Sequence, residues 1–366
     1  MDFCCQADLW EYLANAQKSI VMYGMGNGAD KILAVCRERG IEVKDFFASD
    51  GFVRGHLFHG KQVLSWSEIK QRYGAKNLIV LLSFGTSRPE VLENIDRIAA
   101  EAELYAPDVP TFGNGLFDRT FFEKNRDRID AAYDLLFDDT SRTVFENVLH
   151  FKLTGRVQHL RAAENAPDEI MRELIHPERL TAYADLGAYN GDTVRELLLH
   201  ASPALRTVWA MEPDARNFKK LQAYAESETR AKVLAVQAGA WSCEETLYFD
   251  ASGNRNASFD ANRSDTLTDR PTRLREVAAL PLDALLAGAR VDYIKYDVEG
   301  AEKEALLGSV ESIRAHHPLL LVSLYHRNED LFALPLLVHE LFPDYKHFAV
   351  RRLAGVPAWD LNLYAW

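Results

Sequence analysis

Three acidic residues sit at the ends of apolar runs, each beside a turn. They are Asp185 in Tyr183-Ala-Asp185-Leu-Gly187-Ala-Tyr-Asn190-Gly191-Asp192-Thr193, Glu212 in Val208-Trp-Ala-Met-Glu212-Pro213, and Asp297 in Val291-Asp-Tyr-Ile-Lys-Tyr-Asp297-Val-Glu299-Gly300-Ala-Glu302. An apolar strand that ends in an acid and a glycine turn, with a helix beginning after it, lets a ligand approach the backbone closely. An acid roughly 20 residues further on, at the end of the next strand, stands where a carboxylate accepts hydrogen bonds from ribose hydroxyls. By spacing alone the ligand is a dinucleotide or another adenosine compound, and the helix dipole explains an acid at Glu212 equally well. Asp297 closes a buried strand and should face the crevice in which open α/β sheets bind ligands.

The elements that must position these groups alternate. From Thr181, strands are predicted at Ala182 to Leu186, Val208 to Glu212, Val233 to Gln237, Thr246 to Phe249, Val291 to Asp297 and Leu319 to Tyr325. Tyr345 to Arg351 and Leu361 to Ala365 read as a closing antiparallel pair, and the polar stretch Asp250 to Arg275 as a loop. An earlier alternating series runs from Ser19 to Gly113, with strands at Ile20 to Gly24, Val43 to Ala48 and Asn77 to Ser83, and helices at Ala29 to Arg39 and Ser65 to Tyr73. Strands alternating with helices imply parallel sheets. The expected architecture is therefore α/β, with two doubly wound domains at 1–113 and 181–366 joined by a helical connector at 114–180.

The three acidic elements, in this order and spacing, resemble the FkbM family of S-adenosylmethionine-dependent methyltransferases. The resemblance runs from about Phe137 to Trp366 and includes Leu280-Pro-Leu-Asp283, the Glu299-Gly-Ala-Glu302 element, Ser323-Leu-Tyr-His326 and Leu361-Asn-Leu-Tyr-Ala365. It implies a class I methyltransferase-like sheet with S-adenosyl-L-methionine as cofactor. Asp185, Gly187, Asn190 and Gly191 would hold the methionine end, Glu212 the ribose, and Asp297 and Glu299 the neighbouring wall. The wider fold usually has an acid after the third strand to read adenine; this sequence has Gln237-Ala238-Gly239-Ala-Trp241 instead, so backbone contacts at Ala238 and Gly239 are expected.

Methyl transfer is an in-line displacement that needs positioning and, for a hydroxyl acceptor, a base. His326 follows one strand and Asp297 its neighbour, so His326 is expected as general base with Asp297 beside it. Asp297, Glu299 and Glu302 could offer oxygen ligands to Mg²⁺, but a helix start alone explains acids at 299 and 302, and no metal is expected. In the first domain, Tyr23-Gly24-Met-Gly26-Asn-Gly28 and Asp50 fit a dinucleotide or nucleotide-sugar cradle, and Gly60-Lys-Gln-Val-Leu-Ser65-Trp-Ser-Glu-Ile with the strand Leu78 to Ser83 resembles the small Rossmann-like domains of sugar-nucleotide-processing proteins. That resemblance fits either a nucleotide cradle or a glycine turn in a scaffold that positions the acceptor.

Composition narrows the class. The 366 residues carry 42 Lys+Arg against 54 Asp+Glu, a net charge of −12, which argues against a general nucleic-acid binder. No apolar run approaches the ~20 residues of a membrane span. Cys4, Cys5, Cys36 and Cys243 have no zinc spacing and read as reduced thiols in a cytoplasmic protein. The expected activity is O-methylation of a sugar, glycan or natural-product hydroxyl, with a small-molecule or carbohydrate partner and an oligomer open. A nucleotide-binding regulatory or interaction module without turnover, and an oxidoreductase using the first glycine turn, are the alternatives.

Overall fold

The computed structural model describes residues 7–53, 55–113, 115–250 and 274–366. The first sheet comprises β1 (Ser19–Tyr23), β2 (Val43–Ala48), β5 (Leu64–Ser65), β6 (Leu78–Leu82) and β7 (Glu103–Tyr105), in the order β5-β2-β1-β6-β7. Every described pairing in it is parallel. A short hairpin, β3 (Leu57–Phe58) with β4 (Lys61–Gln62), sits beside it. Its helices form where expected. Asn27–Glu38 buries Ala29, Ile32, Leu33 and Cys36, one stripe at helical spacing. Trp66–Tyr73 starts at a capping box between Ser65 and Glu68.

The second sheet comprises β8 (Ala182–Leu186), β9 (Thr207–Met211), β10 (Lys232–Val236), β14 (Tyr293–Tyr296), β15 (Leu319–Ser323), β16 (Phe348–Arg352) and β17 (Leu361–Ala365). Its order is β10-β9-β8-β14-β15-β17-β16, parallel except for β17, which runs antiparallel to both neighbours. The chain therefore is the expected α/β protein with two parallel sheets and a final antiparallel pair. The order reverses between β8 and β14, so the crevice at their carboxyl ends is the ligand position in such a sheet. β11 (Gly239–Ala240), β12 (Glu245–Asp250) and β13 (Leu274–Leu280) form a small separate sheet. Most of the loop expected at Asp250 to Arg275, together with Cys4 and Cys5, lies outside the described residues.

The helices between the two sheets do more than connect them. Asp139–Thr154 packs on β16, where Ser141 Oγ accepts the Val350 N–H at 2.9 Å and Asp138 pairs with Arg351 at 2.8 Å. Arg119–Asp134 packs against Asp330–Leu341. One continuous apolar cluster runs from Val21, Phe47 and Val80 of the first sheet through Phe145 and Leu149 to Ile294, Val322 and Leu363 of the second. The two sheets consequently share a core, and residues 110–113, which follow the first sheet, lie against the second. Among the described residues no helix is long and apolar enough to cross a membrane.

Candidate functional site

The turn after β8 is forced by backbone geometry. Gly187, Tyr189 and Gly191 have φ of 85°, 48° and 81°, in the left-handed region that favours glycine. A Cβ on Gly187 would lie 1.9 Å from the carbonyl oxygen of Asp297, so this glycine lets the ends of β8 and β14 close upon one another. A Cβ on Gly191 would meet the Tyr224 ring at 2.5 Å. The N–H groups of Gly187 and Ala188 both donate to Met211 O, at 3.0 and 2.9 Å, and Gly191 N–H donates to Ala188 O. These amides are satisfied within the protein. Asn190 is held by Arg195, which donates to its side-chain and backbone oxygens at 3.3 and 2.7 Å.

Asp185 is fully buried. Thr193 Oγ1 donates to one carboxylate oxygen and Lys295 Nζ to the other, at 3.1 Å. Lys295 also reaches Gly187 O at 3.4 Å and Asp297 Oδ2 at 3.5 Å. Burial would lower the Lys295 pKa, but Asp185 and Asp297 outweigh it and the net shift is upward, so the ammonium is charged. Asp185 thus acts on the turn from beneath, through Thr193 and Lys295. The sequence reading did not single out Lys295, although a lysine between Ile294 and Tyr296 in a buried strand is a signal that it must be paired.

Glu212 stands just past β9 and is 6% exposed. One oxygen accepts the Tyr189 N–H at 2.9 Å and the other the Asp214 N–H at 2.8 Å, which ties the second strand's end to the glycine turn. Desolvation pushes its carboxyl up to about 7 despite these two donors. A partly satisfied, buried carboxylate of this kind gains from further donors, and the two hydroxyls of a ribose fit its remaining lone pairs. Ala238 and Gly239 are both buried, and the Ala238 N–H already donates to Val236 O at 3.1 Å.

Asp297, His326, Glu299 and Glu302 converge at the carboxyl ends of β14 and β15. Asp297 Oδ1 accepts from Tyr325 OH at 2.9 Å and Ser323 Oγ at 3.1 Å. Burial works against ionisation here, but Lys295, His326 and the two hydroxyls together hold the Asp297 pKa below the usual carboxylate range. His326 is 1% exposed. Its Nδ1 lies 2.7 Å from Glu302 Oε1, and its Nε2 lies 3.5 Å from both Asp297 Oδ1 and Glu299 Oε2 without a hydrogen-bond partner.

Desolvation lowers the His326 pKa, but Glu302, Glu299 and Asp297 more than reverse that and raise it to about 10. The imidazole is therefore a cation at neutral pH. Glu299, held at φ 56°, is shifted upward by desolvation and by the carboxylates of Asp297, Glu302 and Glu212, with His326 opposing. Among the described residues no three His, Cys, Asp or Glu side chains are arranged to hold a metal ion.

Residues 110–113 cover one side of this group. Phe112 N–H donates to His326 O at 3.1 Å, and the two rings are 5.7 Å apart. Lys31, from the first domain's helix, donates to the carbonyls of Pro110 and Thr111, both at 3.0 Å. No spacing rule pointed to Phe112. In the first domain, Asp50 accepts the N–H groups of Trp66 and Ser67 and the Ser67 hydroxyl, so its carboxylate serves the start of a helix.

Residues 185–350 match the family described as the methyltransferase FkbM domain. No curated protein matches the chain. Among solved structures, methyltransferase FkbM from Methylobacillus flagellatus aligns over 95% of this chain and 90% of its own, at 20% identity and a TM-score of 0.69. That likeness establishes the fold of nearly the whole chain, both sheets included. Fibrillarin from Aeropyrum pernix, solved with natively bound S-adenosyl-L-methionine, aligns over 52% of this chain and 68% of its own, at 12% identity and a TM-score of 0.32. A likeness that weak bears no argument about this chain.

Proposed function

We propose that this chain is an S-adenosylmethionine-dependent O-methyltransferase acting on a hydroxyl of a sugar, glycan or natural product. The observation that carries the reading is the convergence of Glu212, Asp297, Glu299 and His326 at the strand ends where the second sheet reverses its order, within a segment that matches a methyltransferase family. When bound, the cofactor supplies an electrophilic methyl group on a sulfonium centre. Glu212 accepts hydrogen bonds from its ribose. The Asp297 carboxylate, held in its charged form, gives the crevice the negative charge that suits a sulfonium.

For a hydroxyl acceptor, the proton that the oxygen gives up on methylation would pass to His326 Nε2. Because His326 is an imidazolium in the ligand-free site, it must first lose its own proton, and turnover should rise with pH toward about 10. Phe112 excludes water from one side of the ring. The first domain, its edge laid against this site through residues 110–113, positions the acceptor. The net charge of −12 favours a small-molecule or carbohydrate partner over a nucleic acid.

The test is transfer of labelled methyl to a panel of sugar nucleotides, glycans and hydroxylated natural products, with a thermal shift on adding cofactor as the binding control. At one hundred times Kd, binding should add about 2.7 kcal/mol of stability. His326→Ala should lower kcat by about 10²–10⁴-fold while the cofactor Kd hardly changes. Tight cofactor binding without transfer to any acceptor would replace this reading with that of a binding module. A wild-type kcat in His326→Ala, with chemistry rate-limiting, would return the histidine to a structural role.

A further inference from the structure

The Glu302 carboxylate is 1% exposed and makes three contacts with a single oxygen. Oε1 lies 2.7 Å from His326 Nδ1 and accepts the N–H groups of Val298 at 3.0 Å and Gly300 at 3.4 Å. Those two amides bracket Glu299, whose positive φ aims its side chain to within 3.5 Å of His326 Nε2. One carboxylate oxygen thus fixes the turn that carries Glu299 and the ring that Glu299 faces.

We propose that Glu302 is the positioning residue of the transfer site: it keeps the proton of neutral His326 on Nδ1, so that Nε2 alone is the atom that receives a proton from the acceptor. The inference rests on the methyltransferase reading for the identity of that proton, but not for the tautomer. A neutral imidazole has one N–H and one lone pair, and the partner of one nitrogen decides which atom carries which. Glu302 Oε1 is the acceptor of the Val298 and Gly300 N–H groups and faces Nδ1 as an acceptor too, so Nδ1 must donate. Nε2, buried, unpartnered and 3.5 Å from both Asp297 and Glu299, then keeps the lone pair.

Other charged and titratable groups also face the ring. From the turn after β14 these are Asp297 and Glu299, and from the segment after β15 Tyr325 and Asp330, with Lys295 behind Asp297. The covering residues 110–113 present Phe112, which carries no charge. Glu302 is distinguished from all of them by contacting Nδ1.

The experiment uses the full-length chain labelled with ¹⁵N-histidine, with the His326 signal identified by its loss in His326→Gln. In the parent, His326 should titrate in the alkaline range and, above its midpoint, show the Nδ1–H form. Glu302→Gln keeps an acceptor for Nδ1 but removes the charge, and should lower the midpoint by at least one pH unit. Glu302→Asp restores the charge on a shorter arm and should lie between the two.

In turnover, the pH–kcat profile of Glu302→Gln should be displaced toward lower pH by the same amount as the midpoint, with acceptor KM changed less than threefold. The Nε2–H form in the parent overturns the proposal and needs no variant to be seen. So does an unmoved midpoint in both variants, even if their melting temperatures fall. If no acceptor is methylated, the proposed activity fails while the ¹⁵N measurement still decides the tautomer.

Discussion

Replacing Gly187 by alanine adds one methyl group at the point where β8 and β14 come closest. The new Cβ would lie 1.9 Å from the Asp297 carbonyl oxygen, and reaching the 3.0 Å that real Cβ contacts respect requires a retreat of about 1.1 Å. That oxygen belongs to backbone and cannot rotate away. An L-residue in the left-handed region costs about 1–2 kcal/mol, and overpacking a tight site about 1–3 kcal/mol, so the substitution should cost roughly 2–5 kcal/mol. At about 2–4 °C per kcal/mol, the melting temperature should fall by roughly 5–15 °C.

Gly288→Ala supplies the comparison: its φ of 84° nearly equals the 85° of Gly187, but nothing lies within 4 Å of its Cβ. It should therefore pay the strain and not the clash. Because the displaced carbonyl belongs to Asp297, a 1 Å misplacement should also cost turnover about 10²-fold. Differential scanning calorimetry of the two variants, with kcat measured well below the lower melting temperature, reads both effects. Equal melting temperatures for Gly187→Ala and Gly288→Ala would show that β8 and β14 do not meet as described.

Glu212→Ala removes an acceptor for the ribose and leaves the Tyr189 and Asp214 amides unpaired; cofactor affinity by calorimetry should weaken by about ten- to a hundredfold, and an unchanged Kd would remove Glu212 from the site. Lys295→Met leaves Asp185 buried without its counter-charge and should cost about 3–5 kcal/mol in urea melts, with Asp185→Asn in the same chain recovering part of it; a cost under about 1 kcal/mol would refute the pairing. The pH dependence follows from His326, whose folded pKa of about 10 exceeds the ordinary 6.5. Its stabilisation is complete below about pH 6.5 and is lost as pH rises toward 10, so the parent should lose more melting temperature than His326→Gln across that interval. Parallel curves for the two proteins would contradict the imidazolium.

The strands were legible because their apolar runs end in punctuation. Val43–Ala48, Ala182–Leu186 and Leu361–Ala365 form at the residues the pattern indicates; the other expected strands move at their ends by one to three residues, and Glu212 and Asp297 fall just outside the ladder. The capping box at Ser65 was readable for the same local reason: its partner, Glu68, is three residues away. Packing between distant segments was not readable. Asp139–Thr154 has the look of a linker helix in sequence, and only the partners Val350 and Arg351, some 210 residues later, make it a wall of the second sheet's core.

The candidate site divides along the same line. Spacing indicated which residues gather at the strand ends, because strand geometry delivers them there whatever surrounds them. It did not indicate what each does on arrival, since that depends on partners from other elements. Asp185 is spent on Thr193 and Lys295, and the glycine-turn amides on Met211 and Glu212. The protonation of His326 is the sharpest case. A histidine after a strand suggests a neutral base, but Glu302 lies 2.7 Å from one ring nitrogen, Asp297 and Glu299 each 3.5 Å from the other, and Phe112 closes one side. Three carboxylates around a buried ring favour its charged form more than burial disfavours it, so the arrangement that makes His326 a candidate base also sets the alkaline range in which it can act as one.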